Sequence, residues 1–179
     1  MIMRYVAFLR GINVGGNKLI KMDDLKKMFG SWGFENVKTL LASRNVIFDA
    51  PKGPAPALAG KIEEKLKKVL GYEVKIMVRN VEDIQQLVDA NPFKGIAVTP
   101  ETRLYVTFLA DKPKSKLKIP YATPEKDFRI LRVTESEVCS VMIVSPDKNT
   151  TDLMKILEKE YGKNVTTRNW NTVLKILKI

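Results

Sequence analysis

Met3-Arg4-Tyr5-Val6-Ala7-Phe8-Leu9-Arg10 runs directly into Gly11-Ile12-Asn13-Val14-Gly15-Gly16-Asn17-Lys18, and this junction decides the fold. The apolar run from Met3 to Arg10 reads as a strand. Beyond the glycines, Met22, Leu25, Phe29 and Trp32 recur at helical spacing until Gly33 supplies a stop. Val37 to Ala42 and Asn45 to Ala50 are short apolar runs separated by Ser43 and Arg44, which suits a tight hairpin. Pro51, Gly53, Pro54 and Pro56 break that pattern. Leu58, Ile62, Leu66, Val69 and Leu70 then form a second helical stripe ending at Gly71, and Val74 to Arg79 alternates as a fourth strand. Strand, helix, strand, strand, helix, strand is the split βαβ, or ferredoxin-like, order, and it is complete within residues 1–79.

Residues 80–102 read as a connecting helix and linker. Asn80 and Asp83 form a capping pair, Ile84, Leu87 and Val88 face inward, and Asn91-Pro92 closes the helix. Residues 103–179 look like a degenerate copy of the first half. Strands fall at Arg103 to Leu109, Phe128 to Val133 and Val138 to Val144. A helix capped by Asn149 or Thr150 carries Leu153, Ile156 and Leu157 to Gly162. A short strand from Val165 to Arg168 precedes a terminal helix lined by Trp170, Val173, Leu174 and Leu177. The first helix of this copy is replaced by an irregular stretch from Asp111 to Asp127. The expected class is therefore α+β: two ferredoxin-like halves, each an antiparallel sheet covered by helices.

Composition narrows the chemistry. The chain contains no histidine, which removes Ser-His-Asp and Cys-His relays and the commonest transition-metal ligand. Its single cysteine, Cys139, sits between Val138 and Val141 in an apparent strand, so an internal disulfide is impossible and a buried thiol is expected. No cofactor or metal is implied. Lysine and arginine total 31 against 20 acidic residues, a net charge of +11, which favours phosphate-bearing small molecules, nucleic acid or other anions as partners. The excess is spread over every quarter of the chain. Lys112, Lys114, Lys116 and Lys118 place four ammonium groups along one side of an extended segment, read here as a solvated loop or a protected sheet edge. Without a signal-peptide layout or a long apolar run, a cytoplasmic protein with no membrane association is expected. The sequence sets no oligomeric state.

With these elements placed, Leu9-Arg10-Gly11-Ile12-Asn13-Val14-Gly15-Gly16-Asn17-Lys18, the Ala42-to-Phe48 hairpin, Ala90-Asn91-Pro92-Phe93 and the run from Thr166 to Ile176 resemble a bacterial family known only as domain of unknown function 1697. The resemblance covers nearly the whole chain. It implies an α+β fold with paired ferredoxin-like halves and brings no reaction with it. The family usually has a glycine at the hairpin where this chain has Arg44. Arg44 resists the positive φ that glycine permits, so either Asn45 takes the left-handed position instead or the turn is of a different kind.

Gly11, Gly15 and Gly16 lie between a strand end and a helix start, where backbone N–H groups and the helix dipole favour an anion. Arg10 and Lys18 add charge, and Asn13 adds an amide. The loop matches neither a Walker loop nor GxGxxG. The bland alternative is that the glycines only allow positive φ in a long turn. In a ferredoxin-like sheet the turn joining the second and third strands lies at the same edge, which brings Ser43, Arg44 and Asn45 beside the loop. Thr166, Thr167, Arg168, Asn169 and Asn171 are added as candidates from the C-terminal motif. For these the structural alternatives are a helix cap at Asn169, a core role for Trp170 and an ion pair for Arg168.

Binding of a phosphate-bearing ligand at the glycine loop is the leading expectation. A second reading is single-stranded nucleic acid on an exposed sheet face, with Phe8 and Phe48 as stacking residues. A third is an enzyme acting on a small phosphorylated or carboxylated substrate, for which Asp23, Asp24 and Asp49 are the nearest acids. A fourth is an interaction scaffold that binds no ligand.

Overall fold

A computed structural model of the chain describes residues 1–12, 19–40, 44–148 and 150–179. The chain divides into two units, residues 1–86 with 175–179, and residues 87–174.

The first unit contains β1 (Ile2–Arg10), α1 (Met22–Ser31), β2 (Glu35–Leu40), β3 (Asn45–Pro51), α2 (Ala55–Leu70) and β4 (Lys75–Asn80). The sheet order is β2-β3-β1-β4 with every pair antiparallel, which is the ferredoxin-like arrangement. Alternation along the strands sends Tyr5, Ala7, Leu9, Val46, Phe48, Ile76 and Val78 to one face. Leu25 and Phe29 of α1 and Ala59, Ile62 and Leu66 of α2 close over it. Each such large apolar side chain contributes roughly 1.5–3 kcal/mol by leaving water. Phe29, Phe34, Phe48 and Tyr5 form a continuous aromatic group, with centroids 4.7 Å apart for Phe34 and Phe48 and 5.4 Å for Phe29 and Phe48. Val6, Phe8, Ile47 and Met77, on the opposite face, are also buried. The chain end belongs to this unit: Lys38 on β2 donates from Nζ to the carbonyl of Ile179 at 2.7 Å.

Helix ends follow the sequence signals. Gly71 ends α2 in the left-handed conformation, its N–H donating to the Lys67 carbonyl. Asn80 Oδ1 accepts from the Asp83 N–H at 2.7 Å and caps α3 (Val81–Asp89) as expected.

The second unit carries β5 (Thr102–Leu109), β6 (Tyr121–Ala122), β7 (Phe128–Val133), β8 (Glu137–Ile143), α4 (Thr150–Tyr161) and β9 (Val165–Asn169), followed by α5 (Trp170–Ile176), which ends at the boundary with the first unit. Its sheet order is β6-β7-β8-β5-β9. Without the short edge strand β6, this is the same ferredoxin-like order as the first unit. Among the described residues, one helix, α4, covers this sheet. Where the other would lie, the stretch before β6 runs extended, with Pro113, Ser115, Leu117 and Ile119 turned inward and Lys112, Lys114, Lys116 and Lys118 all exposed. Leu117, Ile119 and Tyr121 pack on the core made by Phe128, Ile130, Val138, Met142, Leu153 and Leu157, taking the place of a helix's apolar stripe. The lysine row is thus the solvated side of a loop. Lys112 pairs with Glu135 at 2.8 Å with both side chains largely in water, a pair of small energetic weight.

Candidate functional site

The first unit's topology brings three chain segments to one end of its sheet. β1 finishes there at Arg10, β3 begins there at Asn45, and β4 begins there at Lys75. Phe8 pairs with Asn45 and Arg10 with Lys75 in register. The strand end and the hairpin turn touch directly, because the Leu9 N–H donates to the Arg44 carbonyl at 3.0 Å. The expected adjacency of strand end and turn is therefore present in the described residues.

Among the described residues here, Gly11 and Arg44 have positive φ. Gly11 sits at +84°, and a Cβ at that position would lie 3.9 Å from the Glu73 carbonyl, so φ rather than crowding is what calls for glycine. Arg44 sits at +55°. The expectation that Arg44 would resist this conformation and pass it to Asn45 is corrected. Asn45 opens β3 as a fully buried residue whose strand pairing holds it extended. The left-handed residue is Arg44, one position earlier, which carries the Cβ cost.

Asn13, Gly15, Gly16, Lys18 and Ser43 lie outside the described residues. Of the first-unit candidates, Arg10, Gly11 and Asn45 are placed, and all three are at the shared sheet end. Sequence reasoning missed Lys75 and the α2–β4 connection beside them. The signal was available in the ferredoxin-like order, which returns the fourth strand antiparallel to the first. The local charge is mixed: Lys67 pairs with Glu73 at 3.0 Å and Lys75 lies 3.8 Å from Glu63. The hydrogen bond from Lys67, helped by its charge, holds the Glu73 carboxyl below the ordinary carboxylate range.

A cavity of about 430 Å³ opens in the same unit, lined by Leu19, Ile20, Met28, Val69, Leu70 and Tyr72 with Asp24 and Lys27 at its margin. Leu19 and Val69 are exposed large apolar residues, at 75% and 55%. Tyr72 belongs to the α2–β4 connection that also carries Glu73. Its hydroxyl is buried and has no hydrogen-bond partner among the described residues. A buried hydroxyl without a partner is costly, and a ligand atom would satisfy it.

The acids proposed for a catalytic role are differently placed. Asp23 and Asp24 occupy the first turn of α1, where carboxylates compensate the helix dipole. Asp49 lies toward the opposite end of β3, accepting from Arg4 Nε at 3.1 Å and Asn36 Nδ2 at 2.7 Å. Phe8 and Phe48 are both fully buried and offer no ring face for stacking.

Thr167, Arg168 and Asn169 lie on β9 of the second unit, and each has a local structural engagement. The hydroxyls of Thr167 and Thr107 are 2.8 Å apart across the sheet. Arg168 Nη1 donates to Thr166 Oγ1 at 2.7 Å and to the Thr167 carbonyl at 3.0 Å. Asn169 Oδ1 accepts from the Thr172 N–H at 2.9 Å, the N-cap bond expected for that position. Trp170 packs edge-to-face on Phe93, with centroids 5.0 Å apart.

Fold and site together define a two-unit α+β protein built on repeated ferredoxin-like sheets. The chain belongs to the family described as protein of unknown function DUF1697, whose model matches residues 2–139. It is similar over 99% of its length to a conserved bacterial protein from Streptococcus pneumoniae, of which 98% is covered, with a TM-score of 0.72 at 20% identity. At that identity the likeness establishes the fold. No curated protein matches the chain. No helix among the described residues is long and apolar enough to cross a membrane.

Proposed function

We propose that the first unit binds a small anionic, phosphate-bearing ligand at the sheet end where Arg10, Gly11, Arg44 and Asn45 converge, in a cytoplasmic setting. The carrying observation is the 3.0 Å bond from the Leu9 N–H to the Arg44 carbonyl, which locks the hairpin turn against the strand end that leads into the glycine-rich segment. Cationic residues from three segments then share one edge, and charge gathered from separate strands serves an anion better than it serves the packing of any single strand. The cavity at Leu19, Ile20 and Tyr72 is of small-molecule size and would take the less polar remainder of the ligand, with the Tyr72 hydroxyl as an orienting group. Burial of Phe8 and Phe48 favours this reading over base stacking on the sheet.

The test is a thermal-shift screen of inorganic phosphate, sugar phosphates and nucleotides at two salt concentrations, with Arg10→Ala and Lys18→Ala in parallel. A ligand that binds only the native state raises the melting temperature by mass action. A selective shift lost in both variants supports the site. No shift, or an equal shift in the variants, reduces the glycine-rich segment to turn geometry.

A further inference from the structure

The second unit holds a cavity of about 340 Å³ that the first-unit reading leaves unused. Strand lengths create it. β9 pairs with β5 only from Tyr105 to Leu109, so the opening residues of β5, paired with β8 on one side, have no strand on the β9 side, where the chain turns into α5. The resulting notch is lined by Val98, Arg103, Leu104, Asn169, Trp170 and Asn171. Its volume falls within the roughly 300–1,000 Å³ typical of small-ligand pockets.

The lining combines three kinds of group. Trp170 supplies an indole held in place by its edge-to-face contact with Phe93. Leu104 and the exposed Val98 supply apolar surface. The polar groups are mostly donors. Arg103 Nη1 is taken up by the carbonyls of Pro100 at 2.6 Å and Thr102 at 3.0 Å, which fixes the guanidinium and leaves its Nε and Nη2 hydrogens for a ligand. Asn169 Oδ1 is committed to the Thr172 N–H, so the donor Nδ2 is the end of that amide left to a ligand. Asn171 is exposed and brings a complete carboxamide. A flat ring between indole and aliphatic surface, read at its edge by a guanidinium and two amides, meets the demands of a nucleobase. The excess of donors selects an edge rich in acceptors.

We propose that this notch is a second ligand site, for small molecules bearing a nucleobase with an acceptor-rich edge, guanine through O6 and N7 or uracil through its two carbonyls, stacked on Trp170 and hydrogen-bonded by Arg103, Asn169 and Asn171. It is independent of the anion site in the first unit.

The chain has two tryptophans, Trp32 and Trp170, so Trp32→Phe leaves Trp170 as the sole indole reporter. This variant is titrated with the monophosphates of guanosine, uridine, adenosine and cytidine and with ribose 5-phosphate. Equilibrium dialysis on the parent protein gives the same comparison should Trp32→Phe fold poorly. Guanosine and uridine monophosphate should quench Trp170 at concentrations about tenfold below the other two nucleotides, as one well-placed bidentate contact discriminates. Ribose 5-phosphate should leave the fluorescence unchanged. Asn171→Ala and Arg103→Ala, both at exposed residues, should each weaken the response about tenfold, whereas Arg10→Ala should not. Absence of quenching and of dialysis binding, equal response to all four bases, or a response that survives both Asn171→Ala and Arg103→Ala overturns the proposal. Loss in Arg10→Ala alone also overturns it and assigns the binding to the first unit.

Discussion

Leu9 gives its backbone N–H to the carbonyl of Arg44 at 3.0 Å, and Arg44 presents that carbonyl from a left-handed conformation at φ +55°. A left-handed L-residue carries a penalty of roughly 1–2 kcal/mol that glycine does not, while glycine costs about 0.5–1 kcal/mol more in unfolded-chain entropy. Arg44→Gly should therefore be neutral to about 1 kcal/mol more stable in urea unfolding. Arg44→Val should lose more than 1 kcal/mol, because a β-branched side chain tolerates this region least. If the arginine is kept for its charge, Arg44→Gly will also weaken the phosphate-dependent thermal shift. A stable glycine variant with an unchanged shift would deny Arg44 any part in anion binding.

Phe48 marks the difference between a sheet that stacks bases and one that packs helices. Its ring is fully buried, and Tyr5, Phe29 and Phe34 contact it at centroid distances of 5.9, 5.4 and 4.7 Å. Phe48→Ala should cost about 3–5 kcal/mol in urea unfolding, the range for removing a buried phenyl and leaving a cavity. Phe48→Leu should recover more than half of that. A loss under about 1 kcal/mol would mean that the ring is exposed in solution, and would revive the nucleic-acid reading.

Most of the fold was legible because it is written in short periods. The 3.6-residue spacing of Leu25 and Phe29 and the alternation through Tyr5, Ala7 and Leu9 each concern a few neighbouring residues, and Gly71 and Asn80 punctuate them with local hydrogen bonds. The edge strand β6 was not legible. Two residues carry no period, and Tyr121 and Ala122 are strand only because Ile130 and Arg129 lie across from them. Arg44 misled for a related reason: steric preference assigned the positive φ to Asn45, whereas burial and pairing on β3 held Asn45 extended. The candidate site was legible as far as topology carries, since strand order alone places the hairpin turn at the end of β1. The same strand order implied Lys75 beside Arg10, which sequence reasoning missed, while the cavity at Tyr72 and the notch beside Trp170 required side-chain packing and the unequal lengths of β5 and β9, which no local motif encodes.

Cys139 is fully buried on β8, and loss of solvation, reinforced by the nearby Glu137 carboxylate, pushes its thiol up to about 12. Thiolate is the reactive species, so the native protein should resist alkylation by iodoacetamide at pH 8 and react at the rate of a free thiol once unfolded in urea. Labelling should therefore follow global unfolding. Rapid labelling of the native chain would require β8 to open locally.

Asp127 and Lys148 form a 2.6 Å ion pair that ties the turn before β7 to the segment after β8. Hydrogen bonds from Lys148 and from the Thr123 hydroxyl hold the Asp127 carboxyl below its ordinary range, and the same contact raises the Lys148 ammonium. A carboxylate whose folded pKa is depressed contributes stability that is fully present above its unfolded pKa, about 3.9, and is lost as pH falls through the folded value. The raised lysine contributes below its unfolded pKa, about 10.4, and that contribution fades as pH rises through the folded value. Asp127→Asn should therefore lower the urea midpoint at pH 7. Its deficit should be flat between about pH 5 and 9 and should shrink progressively as pH falls below the unfolded carboxylate value of about 3.9 and the parent carboxyl takes up its proton. A deficit unchanged from pH 7 to pH 2 would assign the loss to the hydrogen bonds that the asparagine fails to reproduce, and remove the charge from the explanation.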